Sequence, residues 1–382
     1  MAHILLTYSS RTPTVDLVKR IMILFAERFG NEMKEKDSGA VIGEDILWAD
    51  SVLLVRPYDV SCTDIVKAAK ESGKFIIVYL DDDLLHIPDL DTTVLRKVIS
   101  RILKKKNQNA LRACLNDCDI LWGSNAYLLK RYKKYIRNGR CVRSDVTADI
   151  SNMKKVSERR NDNPHILFAG AQDHAALLNK YIMPALNRIA PEFPSLRMTC
   201  IGVAKSQLKP CKVQIKFIPW MNYEQYRAFI RKENYHIGIA VVEQEDFYKC
   251  KYYNKFIEYS LLGAAGIYTD SEPYNLVVKH CENGFLAQSS VDSWVDNITF
   301  AIRHPQICEK CVQNAQTLIE NEYQADIIVE RVNHEMPELS MSYGQKSGRI
   351  RFRRRTLWYM LRNKGMAIVD RCEKGSKGVR RK

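Results

Sequence analysis

Residues 246–270, DFYKCKYYNKFIEYSLLGAAGIYTD, carry the pattern on which the fold prediction depends. A helix with Asn254 as its N-cap is predicted by apolar residues at helical spacing: Phe256, Ile257, Leu261 and Leu262. The glycines at 263 and 266 end that helix before a short apolar strand at residues 267–268. The segment therefore reads as an entry loop, a helix and a strand.

Three charged residues in this segment predict a ligand site. Lys251 lies on the approach to the helix, while Lys255 and Glu258 are three residues apart and project from one helical face. A helix N-terminus with two added lysines suits a diphosphate. A carboxylate beside it suits the neutral hydroxyls of a ribose. The alternative is a solvated Lys–Glu pair on a surface helix, worth about 0.2–0.5 kcal/mol.

The segment resembles the C-terminal signature of the GT-B glycosyltransferases of family 4. The branch concerned reads roughly F-N-x-x-K-S-x-x-K-F-x-E-Y-x-x-x-G-x-P, then a strand and S-D-x-x-P-Y. It is matched here by Phe247, Lys251, Lys255, Phe256, Glu258, Tyr259, Gly263, Thr269, Asp270, Pro273 and Tyr274. The resemblance implies that Glu258 holds the donor ribose and that Lys251 and Lys255 are catalytic cations on the diphosphate.

Three positions depart from that pattern. The wider family has a second glutamate eight residues before the helix glutamate, where this chain has Cys250. Tyr252 replaces a serine, and Ala265 replaces a proline. These departures leave the fold inference intact but put in question how the sugar ring is held.

Composition and charge narrow the class of protein. The 382 residues suffice for two ordinary domains, and no run of about 18 apolar residues predicts a spanning helix. The first residues lack the pattern of a secretory signal. The eleven cysteines are scattered, which favours a reducing cytoplasm, and they lack the spacing of zinc ligands. Residues 341–382 hold 14 Lys and Arg against 2 Asp and Glu, which leaves a net charge of only +3 on residues 1–340. The basicity belongs to a tail, which argues against a nucleic-acid-binding body.

The order of strands and helices predicts an α/β protein with two Rossmann-like domains facing a cleft and a basic helical tail. Continuous apolar strands near residues 4–8, 52–55, 75–80 and 119–122, separated by helices, indicate a parallel sheet covered on both faces. A polar segment at 151–163 precedes a new series of strands. We predict domains at residues 1–160 (acceptor side) and 161–336 (nucleotide-sugar side), and a basic amphipathic tail at 337–382.

An acidic cluster at the end of the third strand allows two interpretations. Asp81 and Asp83 are spaced to hold a divalent cation, as in the metal-dependent GT-A glycosyltransferases. The same stretch also resembles the Y-x-x-D-D-x-x-x-x-I-P of the family 4 branch, with Arg56 matching an arginine after the preceding strand. In that case Arg56, Asp82 and Asp83 are acceptor-side candidates, or the aspartates cap a helix, and no metal is implied.

Two basic stretches follow this cluster. Residues 94–112 alternate Lys and Arg with apolar residues, which predicts an amphipathic helix with a solvated face or one that meets anionic lipid. A second basic helix is predicted at residues 130–140.

In the second half, two loops after strands are candidates for donor contacts. Gly170 follows the strand at 166–169 and allows backbone amides to approach a phosphate, and His174 matches a histidine of the family branch. After the strand at 215–217, Ile218 and Trp220 stand where the family frames the nucleobase, although a core position for Trp220 is the alternative.

These observations predict a glycosyltransferase that moves a sugar from a nucleotide-diphosphate donor to an acceptor hydroxyl, without a metal or other cofactor. The resemblance implies retention of anomeric configuration. Residues 349–382 combine arginines with Trp and Tyr, as suits an anionic membrane surface, and favour a polyprenyl-linked glycan acceptor at the cytoplasmic face of the cell membrane, as in surface-polysaccharide assembly. The alternative from another class is a non-catalytic protein of this fold that binds a nucleotide-sugar or glycan.

Overall fold

The computed structural model describes residues 1–87, 94–154 and 163–343 and contains two parallel sheets. The six strands of the first sheet are β1 (His3–Tyr8), β2 (Glu32–Asp37), β3 (Ser51–Val55), β4 (Phe75–Leu80), β5 (Ile120–Gly123) and β6 (Arg140–Arg143). Their order is β2-β1-β3-β4-β5-β6, and every pair is parallel. The order changes direction between β1 and β3, where the carboxyl ends of strands leave a crevice.

Helices connect these strands. They are α1 (Pro13–Phe29), α2 (Gly43–Trp48), α3 (Val60–Glu71), α4 (Val94–Asp117) and α5 (Ala126–Tyr132). Caps account for several of the boundaries: Gly30 ends α1 in the left-handed conformation, and the side chains of Asp59 and Asn125 accept backbone N–H groups at the starts of α3 and α5. The helix predicted at 94–112 is confirmed as α4.

The second sheet contains β7 (His165–Ala169), β8 (Arg197–Ile201), β9 (Gln214–Ile218), β10 (Ile237–Ala240), β11 (Ala265–Thr269) and β12 (Phe285–Ala287). Its order is β12-β11-β10-β7-β8-β9, so its switch point lies between β7 and β10. The helices of this half are α6 (Ala175–Leu177), continued by a π-turn into α7 (Met183–Ile189), then α8 (Tyr223–Ile230), α9 (Asp246–Lys249), α10 (Asn254–Leu261), α11 (Val291–Arg303) and α12 (Pro305–Glu322). The prediction of two Rossmann-like sheets is confirmed.

The last long helix, α13 (Ala325–Glu335), returns to the first domain. Its buried residues Ile328, Val329 and Val332 share a core with β1 and α1. Arg28 of α1 lies 2.7 Å from both Asp326 and Glu330. Although α13 follows the second sheet in sequence, in space it belongs to the first core.

Local predictions differ from the structure at a few places. The basic helix predicted at 130–140 is wrong, because α5 ends at Tyr132 and the chain then forms a 3₁₀ turn and the edge strand β6. The N-cap of α10 is Tyr253, one residue before the predicted Asn254. The boundary predicted at 160–161 and the tail at 349–382 lie outside the described residues. None of the helices in the described ranges combines the length and apolarity required to cross a bilayer.

Replacement of Ile328 by alanine tests the return of α13. Ile328 is fully buried in the first core, so Ile328→Ala should lower the free energy of unfolding by about 2–5 kcal/mol, because the packed site can close only in part around the lost atoms. Denaturant unfolding followed by circular dichroism measures the change. The matched control is Ile307→Ala on α12, where the side chain is 36% exposed. Equal losses in the two variants would contradict the placement of α13.

Candidate active site at the carboxyl ends of the second sheet

The candidate site lies at the switch point of the second sheet. The loop after β7 carries Gly170 and His174, and the loop after β10 carries Lys251 before α10 begins. Both loops leave the carboxyl ends of adjacent parallel strands, where open α/β sheets bind ligands. The fold therefore brings together residues that are about eighty positions apart in sequence.

Gly170 is held by close packing. A Cβ atom at this position would stand 2.8 Å from Cζ of Phe168 and 3.1 Å from Cδ2 of His174. The neighbouring Gly202 has φ +87°, and a Cβ there would lie 2.1 Å from the carbonyl oxygen of Gly170. Two glycines thus allow two loop backbones to pass at contact distance and leave the backbone at 170 open to an approaching group.

His174 is neutral at physiological pH. Burial, together with the positive charge of Lys251, lowers the pKa of its imidazole to about 4. The unfolded chain takes up this proton near pH 6.5, so acidification from pH 6.5 to 4 destabilises the fold through this group. A neutral imidazole carries one N–H and one acceptor nitrogen, and in this loop it can contact an anionic ligand only as a hydrogen-bond donor.

Lys255 and Glu258 form an ion pair on the first turns of α10. The ammonium of Lys255 donates to Oε2 of Glu258 at 2.5 Å and to the hydroxyl of Tyr226 at 3.1 Å. The Tyr226 hydroxyl donates in turn to Oε1 of Glu258. Burial lowers the pKa of Lys255 and raises that of Glu258, and their contact favours the charged form of each. The three side chains form a closed ring in which every polar atom has a partner.

Lys251 stands before this ring. Its ammonium lies 5.0 Å from the ring centroid of Phe247 and 5.5 Å from that of Tyr248. The positive charges of Lys251 and Lys255 both lower the pKa of His174. The structure thus brings both lysines, Glu258 and His174 into one neighbourhood.

The loop after β9 borders the same region. Trp220 is 73% exposed, so the alternative of a core position is wrong, and Ile218 is partly buried at the end of β9. This loop leads into α8, capped by Asn222, and α8 carries Tyr226 to Glu258. Tyr226 was missed in the sequence because nothing in its local pattern marks a residue that contacts a helix 32 positions away.

The three aspartates after β4 lie in three environments. Asp81 accepts hydrogen bonds from Arg56 and from Thr14, and Arg56 also donates to Asp82 at 2.9 Å. Asp83 is fully buried, where it accepts a hydrogen bond from Tyr132 and contacts His86 and Arg131. Of the acceptor-side candidates, Arg56 and Asp82 are the more accessible. Arg56 also has φ +50°, a left-handed conformation that costs a residue with a side chain about 1 kcal/mol or more.

Cys250 is directed away from the candidate site. Its side chain is fully buried in the core of the first domain, and burial raises the pKa of the thiol to about 12. A thiol in this state is neither a nucleophile nor a metal ligand. Within the described residues, no group of three or more His, Cys, Asp and Glu is arranged to hold a metal ion.

Comparison with solved structures identifies the architecture. Sucrose-phosphate synthase from Thermosynechococcus elongatus superposes with a TM-score of 0.62 at 10% identity, over 89% of this chain and 99% of that one. HepE of Anabaena, solved in complex with UDP-glucose, superposes with a TM-score of 0.62 at 12% identity, over 88% of this chain and 100% of that one. A glycosyltransferase from Rickettsia africae superposes with a TM-score of 0.54 at 12% identity, over 88% of this chain and 98% of that one. The fold is GT-B.

The GT-A alternative is therefore wrong, because two separate parallel sheets replace the single sheet of that class. Sequence comparison gives no further assignment, since no protein-family profile and no curated protein matches the chain.

Removal of the charge on Lys251 tests the geometry of the site. Lys251→Met should raise the pKa of His174 above 4, because a cation that disfavours the imidazolium is lost. The value should stay below 6.5, since burial remains. Titration of the histidine ring protons by NMR measures it, with the His174 signal assigned by its loss in His174→Gln.

The control is Lys279→Met, which removes a lysine whose side chain is 76% exposed. The same His174 pKa in Lys251→Met and in the wild type would contradict the proximity of these two residues.

Proposed function

We propose that this chain is a glycosyltransferase that transfers a sugar from a nucleoside-diphosphate donor to an acceptor hydroxyl. The observation that carries the proposal is the convergence of Lys251, Lys255, Glu258 and His174 at the switch point of the second sheet in a GT-B fold. HepE, which has the same fold, binds UDP-glucose. Ile218 at the end of β9 and Trp220 on the following loop would frame the base, and Gly170 would allow backbone amides to reach a phosphate.

The ring of Lys255, Glu258 and Tyr226 suggests how the donor enters. The pair carries one positive and one negative charge, and a nucleoside diphosphate brings both anionic oxygens and neutral hydroxyls. Phosphate oxygens can replace Glu258 as partners of Lys255, while ribose hydroxyls can replace Tyr226 and Lys255 as donors to Glu258. Lys255 and Glu258 each exchange one partner for another, so neither charge is left unpaired.

The reaction requires stabilisation of the leaving group. The bond between the anomeric carbon and the diphosphate oxygen breaks, a bond from that carbon to the acceptor oxygen forms, and the proton of the acceptor hydroxyl passes to the departing diphosphate oxygen. Negative charge grows on the diphosphate while the sugar becomes oxocarbenium-like. Lys251 and Lys255 would offset that charge without a metal ion. Retention of configuration is the part of the proposal that rests on the family resemblance.

Substitutions in the ring separate catalysis from donor binding. Lys255→Ala should lower kcat by about a hundredfold or more, because one preorganised charge on the leaving group is lost. Glu258→Gln should chiefly raise KM for the donor, since an amide accepts ribose hydroxyls less well than a carboxylate. Release of nucleoside diphosphate from a panel of sugar donors, measured in excess EDTA, gives both constants.

The matched control is Lys279→Ala, an exposed lysine outside the site that should leave both constants unchanged. Full activity of both ring variants would contradict the site assignment, and a strict requirement for Mg²⁺ or Mn²⁺ would contradict the metal-independent mechanism. Donor binding by calorimetry without turnover on any acceptor would favour the non-catalytic alternative.

On the acceptor side, we propose a glycan or polyprenyl-linked acceptor met by the first domain. Arg56 and Asp82, joined at 2.9 Å at the carboxyl end of the first sheet, offer a donor and an acceptor for sugar hydroxyls. Support for a membrane-bound acceptor comes from charge, since the tail carries most of the net positive charge of the chain. In α4, Ile102 is 56% exposed among basic residues. These features would place the enzyme at the cytoplasmic face of the cell membrane.

Neutralising the tail tests this placement. Replacing Arg351, Arg353, Arg354 and Arg355 by glutamine should weaken binding to vesicles that contain phosphatidylglycerol by at least tenfold, since each basic residue near an anionic surface contributes about 1 kcal/mol. Co-sedimentation at low and high salt measures the effect, with neutral phosphatidylcholine vesicles as the control. Unchanged binding would refute the role of the tail and leave the basic face of α4 as the candidate.

A further inference from the structure

Residues 246–251, here called the docking segment, belong to the second domain and contact the first, into which the side chain of Cys250 inserts. Cys250 is fully buried and joins the core cluster that includes Leu128, Leu129 and Tyr132 of the first domain. The segment contains α9 and ends at Lys251, three residues before α10 begins. Lys251 therefore lies next to one of the points at which the second domain contacts the first.

One side chain of the first domain holds the backbone on both sides of Cys250. The amide nitrogen of Asn125 donates to the carbonyl of Lys249 at 2.8 Å and to the carbonyl of Lys251 at 2.6 Å. Its oxygen accepts from the backbone N–H of Leu128 at 2.9 Å, which caps α5. All three hydrogen bonds of this buried amide fix the docking segment relative to the start of one helix.

Two side chains of α5 hold the other end of the segment. The hydroxyl of Tyr127 donates to Asp246 at 2.6 Å, and the guanidinium of Arg131 donates to the same carboxylate at 2.7 Å. Arg131 also lies 3.0 Å from the buried carboxylate of Asp83. A buried aspartate in the first domain and an aspartate of the second are thus linked through one arginine.

This arrangement explains the residue at position 250. A carboxylate there would enter an apolar core and lose its hydration, which costs several kcal/mol. A thiol is small and apolar enough to be buried. Where the resembling family has a glutamate, this chain therefore has a buried thiol that anchors the docking segment in the first domain.

We propose that the first domain positions Lys251 through the docking segment, with Asn125 as the main positioning residue, so that the diphosphate subsite is complete only when the segment is docked. The inference rests on the proposed function, because there Lys251 contacts the diphosphate. Asn125 touches no donor atom and acts through the backbone of Lys251.

Cysteine labelling of the native full-length protein tests the docking without any ligand. The rate of alkylation by N-ethylmaleimide is measured at each cysteine by peptide mapping. Cys250 and buried Cys200 should react slowly, and exposed Cys281 should react fast. Asn125→Asp keeps the oxygen that caps α5, but it replaces the NH₂ donor with a carboxylate oxygen. That oxygen repels the carbonyls of Lys249 and Lys251. Labelling of Cys250 should then accelerate at least tenfold, with Cys200 unchanged.

The matched control is Asn187→Asp. Asn187 also donates to a carbonyl, that of Pro210 at 3.0 Å, and accepts a backbone N–H, that of Lys212 at 2.7 Å, but these partners lie outside the docking segment. It should leave the labelling of Cys250 unchanged. Fast labelling of Cys250 in the wild type, or equal protection in Asn125→Asp, would overturn the docking.

Calorimetry then tests the effect on the site, with UDP, ADP and GDP as probes and their monophosphates as comparators. For the nucleotide that binds, Asn125→Asp should lower the preference for diphosphate over monophosphate about tenfold, because the lysine is displaced but the base contacts remain. Equal losses for both would reduce Asn125 to a structural role and overturn the positioning of Lys251. If the wild type binds none of them, the proposed function fails together with the diphosphate subsite, while labelling still decides whether Asn125 docks the segment.

Discussion

The contact between Lys255 and Glu258 is the interaction on which the candidate site depends. Taking two charges out of water costs several kcal/mol for each, and their attraction offsets this only when the geometry is good and the remaining polar atoms are bonded. Tyr226 supplies that last condition by donating to one group and accepting from the other. A purely structural pair would be closed to solvent and to ligands. Here the side chains of Lys255 and Glu258 are 24% and 19% exposed, and they lie beside the loops of the switch point. Its partners can therefore be exchanged for those of a ligand.

Much of the fold could be predicted because interior strands of a parallel sheet are buried on both faces. β3 and β4 are almost entirely apolar, and their bounds agree with the predicted ones to within a residue. The edge strands lack this signal. Among the described strands, β2, which reads EMKEKD, pairs only with β1, and β6, which reads RCVR, pairs only with β5. One neighbour leaves an edge strand partly solvated, so no apolar run is required, and charged residues there discourage pairing with other chains.

For the site, the sequence shows which residues are near one another along the chain but not which ones the fold adds. The spacing of Lys255 and Glu258 on one face could be predicted from the helical period. Tyr226 and Asn125 could not, since each reaches the site from another element, and a tyrosine in a helix or an asparagine at an N-cap has an ordinary local role. The three consecutive aspartates at 81–83 show the same limit, because neighbouring residues of a turn point in different directions and only the packing of α5 decides that Asp83 is the buried one.

Two of the connections between the domains, α13 and the docking segment, differ in strength. The α13 helix is attached through several fully buried apolar side chains, and its ion pairs with Arg28, whose groups are 40–82% exposed, add little. The docking segment has a single buried thiol and a few hydrogen bonds, each of which contributes about 1 kcal/mol net. The apolar contact of the docking segment is therefore the smaller of the two. The weaker connection is the one that adjoins Lys251, so the position of a charge in the second domain depends on contact with the first.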